Sequence, residues 1–200
     1  ARVPRTTRVL KRGAYDAPGA TVTSDAPGGI LPFPAEYPRN RLGLAKWMTD
    51  DRNPLVSRVA VNRIWSLFFG RGLVASLEDF GGQGQQPSHP ELLDWLATEF
   101  VKSGWNIKGM VRRFVTSATY RQSAKESKEQ ASGDPENIWL SRSTRLRLTA
   151  ETVRDQALAS SGIMNGEIGG PSVKPYQPAG LWESSTSGRG ILARYEQDHG

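Results

Sequence analysis

The chain contains no cysteine and only two histidines among its 200 residues. Without thiols it has no disulfide framework, no thiolate zinc site, no cysteine nucleophile and no thioether-attached haem. His89 and His199 lie far apart and form no His-x-x-x-His spacing, so no metal site is expected. No apolar run approaches the ~18 residues that a membrane-spanning helix needs. Catalytic signatures are missing too. There is no Gly-x-Ser-x-Gly elbow. The Gly-rich stretches at 81–84 and 187–190 lack the lysine of a phosphate loop, and neither follows a strand. No internal repeat is present. Ala1 stands where Met would begin a primary product, and with no leader segment the chain reads as processed or cut.

Acids are outnumbered: 26 Lys and Arg against 20 Asp and Glu give a net charge of +6. Arg2, Arg5, Arg8, Lys11 and Arg12 precede any acid, and residues 108–147 carry a second basic excess. Such a balance permits an anionic glycan, a nucleic acid or an acidic lipid as partner. Equally, it describes ordinary solvated faces with a few paired arginines.

Glycine and proline concentrate at the two ends of the chain. Residues 1–38 read as an extended arm. Thr7–Arg12 alternates as a short edge strand or hairpin arm. Asp16-Ala-Pro-Gly and Asp25-Ala-Pro-Gly-Gly are turn sequences. Ile30, Leu31, Phe33 and Tyr37 are the apolar anchors. Residues 39–162 read as a helical body of about five helices with long loops, so the fold class is mainly α. The first helix carries Leu42, Leu44, Trp47 and Met48. The second opens at Asn53-Pro54, a cap followed by a first-turn proline, and closes at Gly70. Its apolar residues cover more than one face, which suits a central helix. Ser88 and Glu91 have the spacing of a capping box ahead of the Leu92, Leu93, Leu96, Ala97, Phe100 and Val101 stripe. Asn106 caps a fourth helix with Ile107, Met110, Val111, Phe114, Val115 and Ala118 inward. Residues 123–137 read as polar and mobile. Thr149 caps a fifth helix with Val153, Ala157 and Leu158 inward. Residues 163–200 return to Gly and Pro with no period.

Several motifs follow one another in a distinctive order: Arg41-Leu-Gly-Leu-Ala-Lys-Trp, Asn53-Pro-Leu-Val-Ser-Arg-Val-Ala-Val-Asn-Arg-Ile-Trp, Phe69-Gly-Arg-Gly-Leu-Val, Glu78-Asp-Phe-Gly, Pro87-Ser-His-Pro-Glu-Leu-Leu-Asp-Trp-Leu, Ser117-Ala-Thr-Tyr-Arg-Gln-Ser and Gly169-Gly-Pro-Ser-Val. From Val9 to Gly200 the chain resembles the planctomycete-type cytochrome-c-associated domain called PSD-one, a domain of unknown function. The resemblance implies a place in a large secreted or envelope protein, beside a c-type cytochrome-like domain and a second uncharacterised domain. It also implies that this chain is the first part of the domain. Any haem would belong to the neighbouring domain, since no attachment motif occurs here. The family brings context and no reaction.

The candidate sites come from the residues themselves. Asn62 shares a polar strip with Arg58 and Ser66, whereas Arg63 falls beside Val56, Val59 and Leu67. An arginine in that apolar sector needs a carboxylate, and Asp79 or Asp94 could supply it. The structural expectation is an ion pair that pins the Gly-rich connector; the functional alternative is an anion or sugar cleft. His89, with Asp79 as orienting carboxylate, is a weak acid–base candidate. Asp79 with Glu91 or Asp94 could form a glycosidase pair. His199 beside Asp198 is a bare dipeptide. Tyr120 and Arg121 suit stacking on a sugar or base. Trp47, Trp65 and Trp95 are assigned to the core, while Trp105, Trp139 and Trp182 sit in loops and could stack on sugar faces.

The leading expectation is a non-catalytic domain that binds or scaffolds polysaccharide or neighbouring domains. The resemblance alone places it outside the cytoplasm. The alternative is a glycan-active enzyme with Asp79, His89 and Asp94 grouped around Arg63. A nucleic-acid or polyanion binder ranks last, since no helix-turn-helix spacing supports it. No cofactor is expected in this chain. The arm leaves a dimer by strand exchange open.

Overall fold

A computed structural model describes residues 6–171, 174–181 and 197. The chain divides into two compact units, residues 1–147 and 148–200. Among the described residues it is mainly helical, with seven helices and one two-stranded antiparallel sheet.

In the first unit, β1 (Thr7–Leu10) pairs with β2 (Pro18–Val22), Thr7 facing Val22 and Arg8 facing Thr21. The reversal falls at 11–16, where Arg12 and Gly13 adopt positive φ. Pro18 therefore begins a strand rather than forming the turn, a position that suits a residue without an N–H to give to the ladder. The rest of the arm leads to α1 (Arg41–Met48), where the Asn40 side chain accepts from the Leu42 and Gly43 amides. Trp47 is buried, and its indole N–H donates to the Leu31 carbonyl at 2.8 Å. Gly43 lets the arm lie close, because a Cβ there would run into the Pro38 carbonyl oxygen. Ile30, Leu31, Phe33 and Tyr37 are half-buried, as anchors should be.

The core lies among α2 (Val56–Phe69), α3 (Pro90–Lys102) and α4 (Ile107–Thr116). Val61, Trp65 and Phe69 of α2 meet Leu93, Leu96 and Phe100 of α3 and Met110 and Phe114 of α4. Trp65 stacks on Phe69 with centroids 3.8 Å apart, and Phe114 meets Trp65 edge-on at 5.2 Å. Asn53 accepts from the Leu55 and Val56 amides, and Gly70 closes α2 at φ 76°. The regular turns begin at Val56, two residues beyond the expected Pro54.

Several local expectations need correction. The Ser88–Glu91 capping box does not form: His89 is the N-cap of α3 and its side chain does not cap. Ser88 is held by the connector instead, its amide and hydroxyl both donating to the Leu73 carbonyl, at 2.8 and 3.2 Å. Ile107 is exposed, and Ala118 leaves the α4 stripe because Ser117 turns the chain into α5 (Ala118–Arg121). Segment 123–137 is hydrogen-bonded rather than loose. It contains α6 (Lys128–Gly133), with a capping box between Ser127 and Gln130. Asp134 then accepts from the Ile138 and Trp139 amides at 2.7 and 2.8 Å.

The second unit contains α7 (Ala150–Ser160), capped by Thr149 as its sequence indicates. None of its residues is buried: Val153 and Ala157 are exposed and Leu158 is half-exposed, contrary to the inward assignment. α7 falls in the unit of residues 148–200.

Candidate functional site

The connector between α2 and α3 is fixed by Asn62, which is 0% exposed. Its side-chain amide donates to the Val74 carbonyl and its side-chain oxygen accepts from the Val74 amide, both at 2.9 Å. Gly72 must be glycine for this clasp, since a Cβ would stand 2.7 Å from the Asn62 Nδ2. Asn62 therefore holds the connector from its buried side and belongs to no exposed polar strip, while the ion pair that Arg63 makes to the connector is an exposed one, with Glu78 and neither Asp79 nor Asp94. Arg63 is exposed and donates to Glu78 at 3.0 Å. The face it shares with Val56, Val59 and Leu67 points away from the core, and the buried face is that of Ser57, Val61, Asn62, Trp65 and Phe69.

No hydrogen bond joins Asp79, His89 and Asp94 to one another among the described residues. Asp94 binds Arg58 at 2.7 Å and joins α3 to α2. Asp79 accepts from the Gly81 amide at 2.7 Å and orders its own turn. His89 Nδ1 lies 3.0 Å from the Ser88 hydroxyl, and its ring meets Trp139 edge-on at 5.8 Å. These are separate contacts, and no described pocket is lined by two of Asp79, His89 and Asp94. Among the described residues no group of three metal-ligating side chains occurs.

The aromatic candidates divide. Trp139 is 67% exposed. Trp105 is half-buried against Phe100 at 5.3 Å, so it is a packing residue. Tyr120 leans on Phe68 and Phe69, leaving a partly open edge, and Arg121 is exposed beside it. Trp182 and His199 lie outside the described residues. Trp95, assigned to the core, is 50% exposed, with the Arg113 guanidinium over its ring at 4.9 Å. Its position was readable. At ~100° per residue it stands opposite the Leu93, Leu96, Ala97 and Phe100 stripe.

Two concavities in the first unit are chemically distinct. One, about 220 Å³, lies under residues 136–146 against Trp65, Phe69 and Leu73, with the Arg71–Glu136 pair at its edge. The other, about 530 Å³, runs between the start of α2 and the second half of α3, and is lined by Asp51, Arg52, Ser57, Arg58, Thr98 and Lys102 among others.

Beside the second concavity sits a tight polar cluster that the sequence did not single out. Asp50 accepts two bonds from the Arg52 guanidinium, at 2.9 and 2.7 Å, and one from the Tyr37 hydroxyl at 2.9 Å. The Arg52 side chain holds the Asp50 carboxyl well below the usual carboxylate range, with help from the Arg52 amide. The same carboxylate raises the Tyr37 phenol by accepting its proton in a hydrogen bond. A lowered carboxyl value adds stability above its unfolded value of about 4, and that stability is lost as pH falls through the folded value. Asp50→Asn should therefore lower the urea midpoint at pH 7. The gap from wild type should close only on acidification below the ordinary carboxylate range, and parallel denaturation curves from pH 7 to pH 2 test this.

A family model described as PSD1, protein of unknown function (DUF1553), matches residues 40–199. No curated protein and no solved structure matches the chain.

Proposed function

The chain belongs to the PSD1 family of proteins of unknown function, and from that premise we propose that it is a non-catalytic domain that binds polysaccharide. The observation that carries this reading is the pair of outward tryptophans, Trp95 and Trp139, each held in place by a neighbouring ring or cation. Indole faces pack on the C–H faces of sugars, and a tethered ring loses less entropy on binding than a free one. The acids and histidine that an enzyme would need are spent on structural contacts: Asp94 on Arg58, Asp79 on a turn amide, His89 on Ser88. The surrounding protein, on this reading, is extracytoplasmic and multidomain, with a neighbouring c-type cytochrome domain that would carry any haem; the motif order quoted above supports that setting. No helix among the described residues is long and apolar enough to cross a membrane.

Tryptophan fluorescence during titration with neutral and sulfated polysaccharides, at low and high salt, tests the reading. The expected result is a saturable change that persists in part at high salt and shrinks in Trp95→Ala or Trp139→Ala. A change abolished by salt and indifferent to both substitutions would replace it with simple polyanion attraction.

A further inference from the structure

We propose that the β1–β2 hairpin docks on an anionic lipid surface, with its tip, residues 10–18, as the part that enters the interface. The hairpin stands clear of the core: no residue of either strand, nor of the turn between them, is buried. Its described bonds run within it, the Lys11 amide donating to the Ala17 carbonyl at 2.9 Å and the Arg8 guanidinium to the Gly19 carbonyl at 3.3 Å. It also precedes residues 40–199, which the family model matches. A two-stranded hairpin without a packed face is marginal in water. This one nevertheless carries large apolar side chains that no described residue buries. Tyr15 at the tip is 90% exposed and Val9 55%, and Leu10 and Val22 are open beside them.

The charge around those side chains selects the partner. Residues 1–24 hold five bases, Arg2, Arg5, Arg8, Lys11 and Arg12, against one acid, Asp16. Lys11 and Arg12 are exposed at the tip. Among the described residues, none of Arg8, Lys11 and Arg12 is paired with a carboxylate. The next acid along the chain, Asp25, is taken by Arg39. A second copy is a poor occupant, because edge-to-edge pairing would set these cations against themselves. A dissolved polyanion would neutralise the cations and leave Leu10 and Tyr15 in water. An anionic bilayer surface answers both. The bases meet phosphate headgroups while their stems lie along apolar surface. Val9 and Leu10 reach the boundary between headgroups and acyl chains, and tyrosine sits at that level with its hydroxyl hydrated. The two kinds of residue are interleaved in one short stretch, Arg8-Val-Leu-Lys-Arg-Gly-Ala-Tyr15, so both kinds of contact form together. The open strand edges hold the hairpin at that depth, since unpaired backbone groups do not enter the hydrocarbon.

Co-sedimentation of the whole chain with vesicles tests this, using phosphatidylcholine alone and an equimolar mixture with phosphatidylglycerol. Because the chain has no cysteine, Ala14→Cys supplies a unique thiol at the exposed tip for an environment-sensitive dye, and Ser132→Cys a control on α6. The mixed vesicles should bind the chain about tenfold or more tightly than the neutral ones. The dye at position 14 should shift to the blue on binding, and the dye at 132 should not. Lys11→Gln and Arg12→Gln should each weaken binding about fivefold. Leu10→Ser and Tyr15→Ser should each weaken it about five- to tenfold. All four melting temperatures should match wild type, since none of these side chains reaches the core. Tyr15→Trp should bind at least as tightly as wild type, which separates a lost contact from a lost hairpin. The lipid assignment is overturned if neither vesicle binds, if the dye at 14 stays in water, or if Leu10→Ser and Tyr15→Ser bind like wild type. It is also overturned if dextran sulfate shows the same dependence on Leu10 and Tyr15, which would make the hairpin a polyanion site. None of these results touches the polysaccharide reading, which rests on Trp95 and Trp139.

Discussion

Replacing Asn62 with alanine should remove roughly 2–4 kcal/mol of stability, because it strands a buried N–H and a buried carbonyl of Val74 at once. That is a large part of the ~5–15 kcal/mol that holds a domain together. The neighbouring Arg63→Ala should change stability by no more than about 0.5 kcal/mol, since its only described partner is the exposed Glu78. Chemical denaturation of the two variants side by side separates them. Equal losses, or a larger loss for Arg63, would mean that the connector is held by the ion pair after all. The contrast bears on function as well as stability. The clasp sets the Leu73 carbonyl that receives Ser88, and Ser88 in turn touches His89 beside Trp139. A partly folded Asn62→Ala chain should therefore lose the Trp139 surface before it loses the α2–α3 packing.

Phe114→Ala should cost about 3–5 kcal/mol. Phe114 is among the most completely buried side chains described, and its ring meets Trp65, Phe68 and Phe69 with centroids 5.2 to 6.1 Å away. Truncation leaves those three rings facing a void that little else can fill. Unfolding should shift to a much lower denaturant concentration without a change in slope. A cost below about 1 kcal/mol would mean that α4 repacks freely, so that the α2–α4 aromatic cluster is not the centre of the core.

Both residues show where the sequence is readable and where it is not. Phe114 falls on a 3.6-residue stripe, so periodicity alone places it inward. The caps at Asn40, Asn53, Asn106 and Thr149 act locally, and local chemistry survives in the sequence. Asn62 is different. Its polarity suggests an exposed strip, and its burial depends on a backbone segment 12 residues away that supplies both bonds. The Ser88 capping box fails for the same reason: the Ser88 amide and hydroxyl both donate to the distant Leu73 carbonyl, and the helix takes His89 as its N-cap. Arg63 and Trp95 err in the same direction and from one source: each reads as inward and each stands outside. In α2 the apolar residues occupy two sectors, and the outward one was assigned to the core. In α3 an aromatic residue was assigned inward although its angle places it outside. Angular position decides both cases better than residue type. The concavity between α2 and α3 could not be read. Ser57 and Lys102 come from helices joined by a long connector, and only the packing of α2 on α3 brings them to one concavity.

The central claim is that the domain binds glycan without turning it over. The most direct measurement is incubation of the chain with the polysaccharide that binds it best, following bound fraction and new reducing ends in the same samples over a day. The account predicts a constant bound fraction and no new reducing ends above the polysaccharide alone. Reducing ends that accumulate with enzyme concentration, and that vanish in Asp79→Asn, His89→Gln or Asp94→Asn, would contradict it.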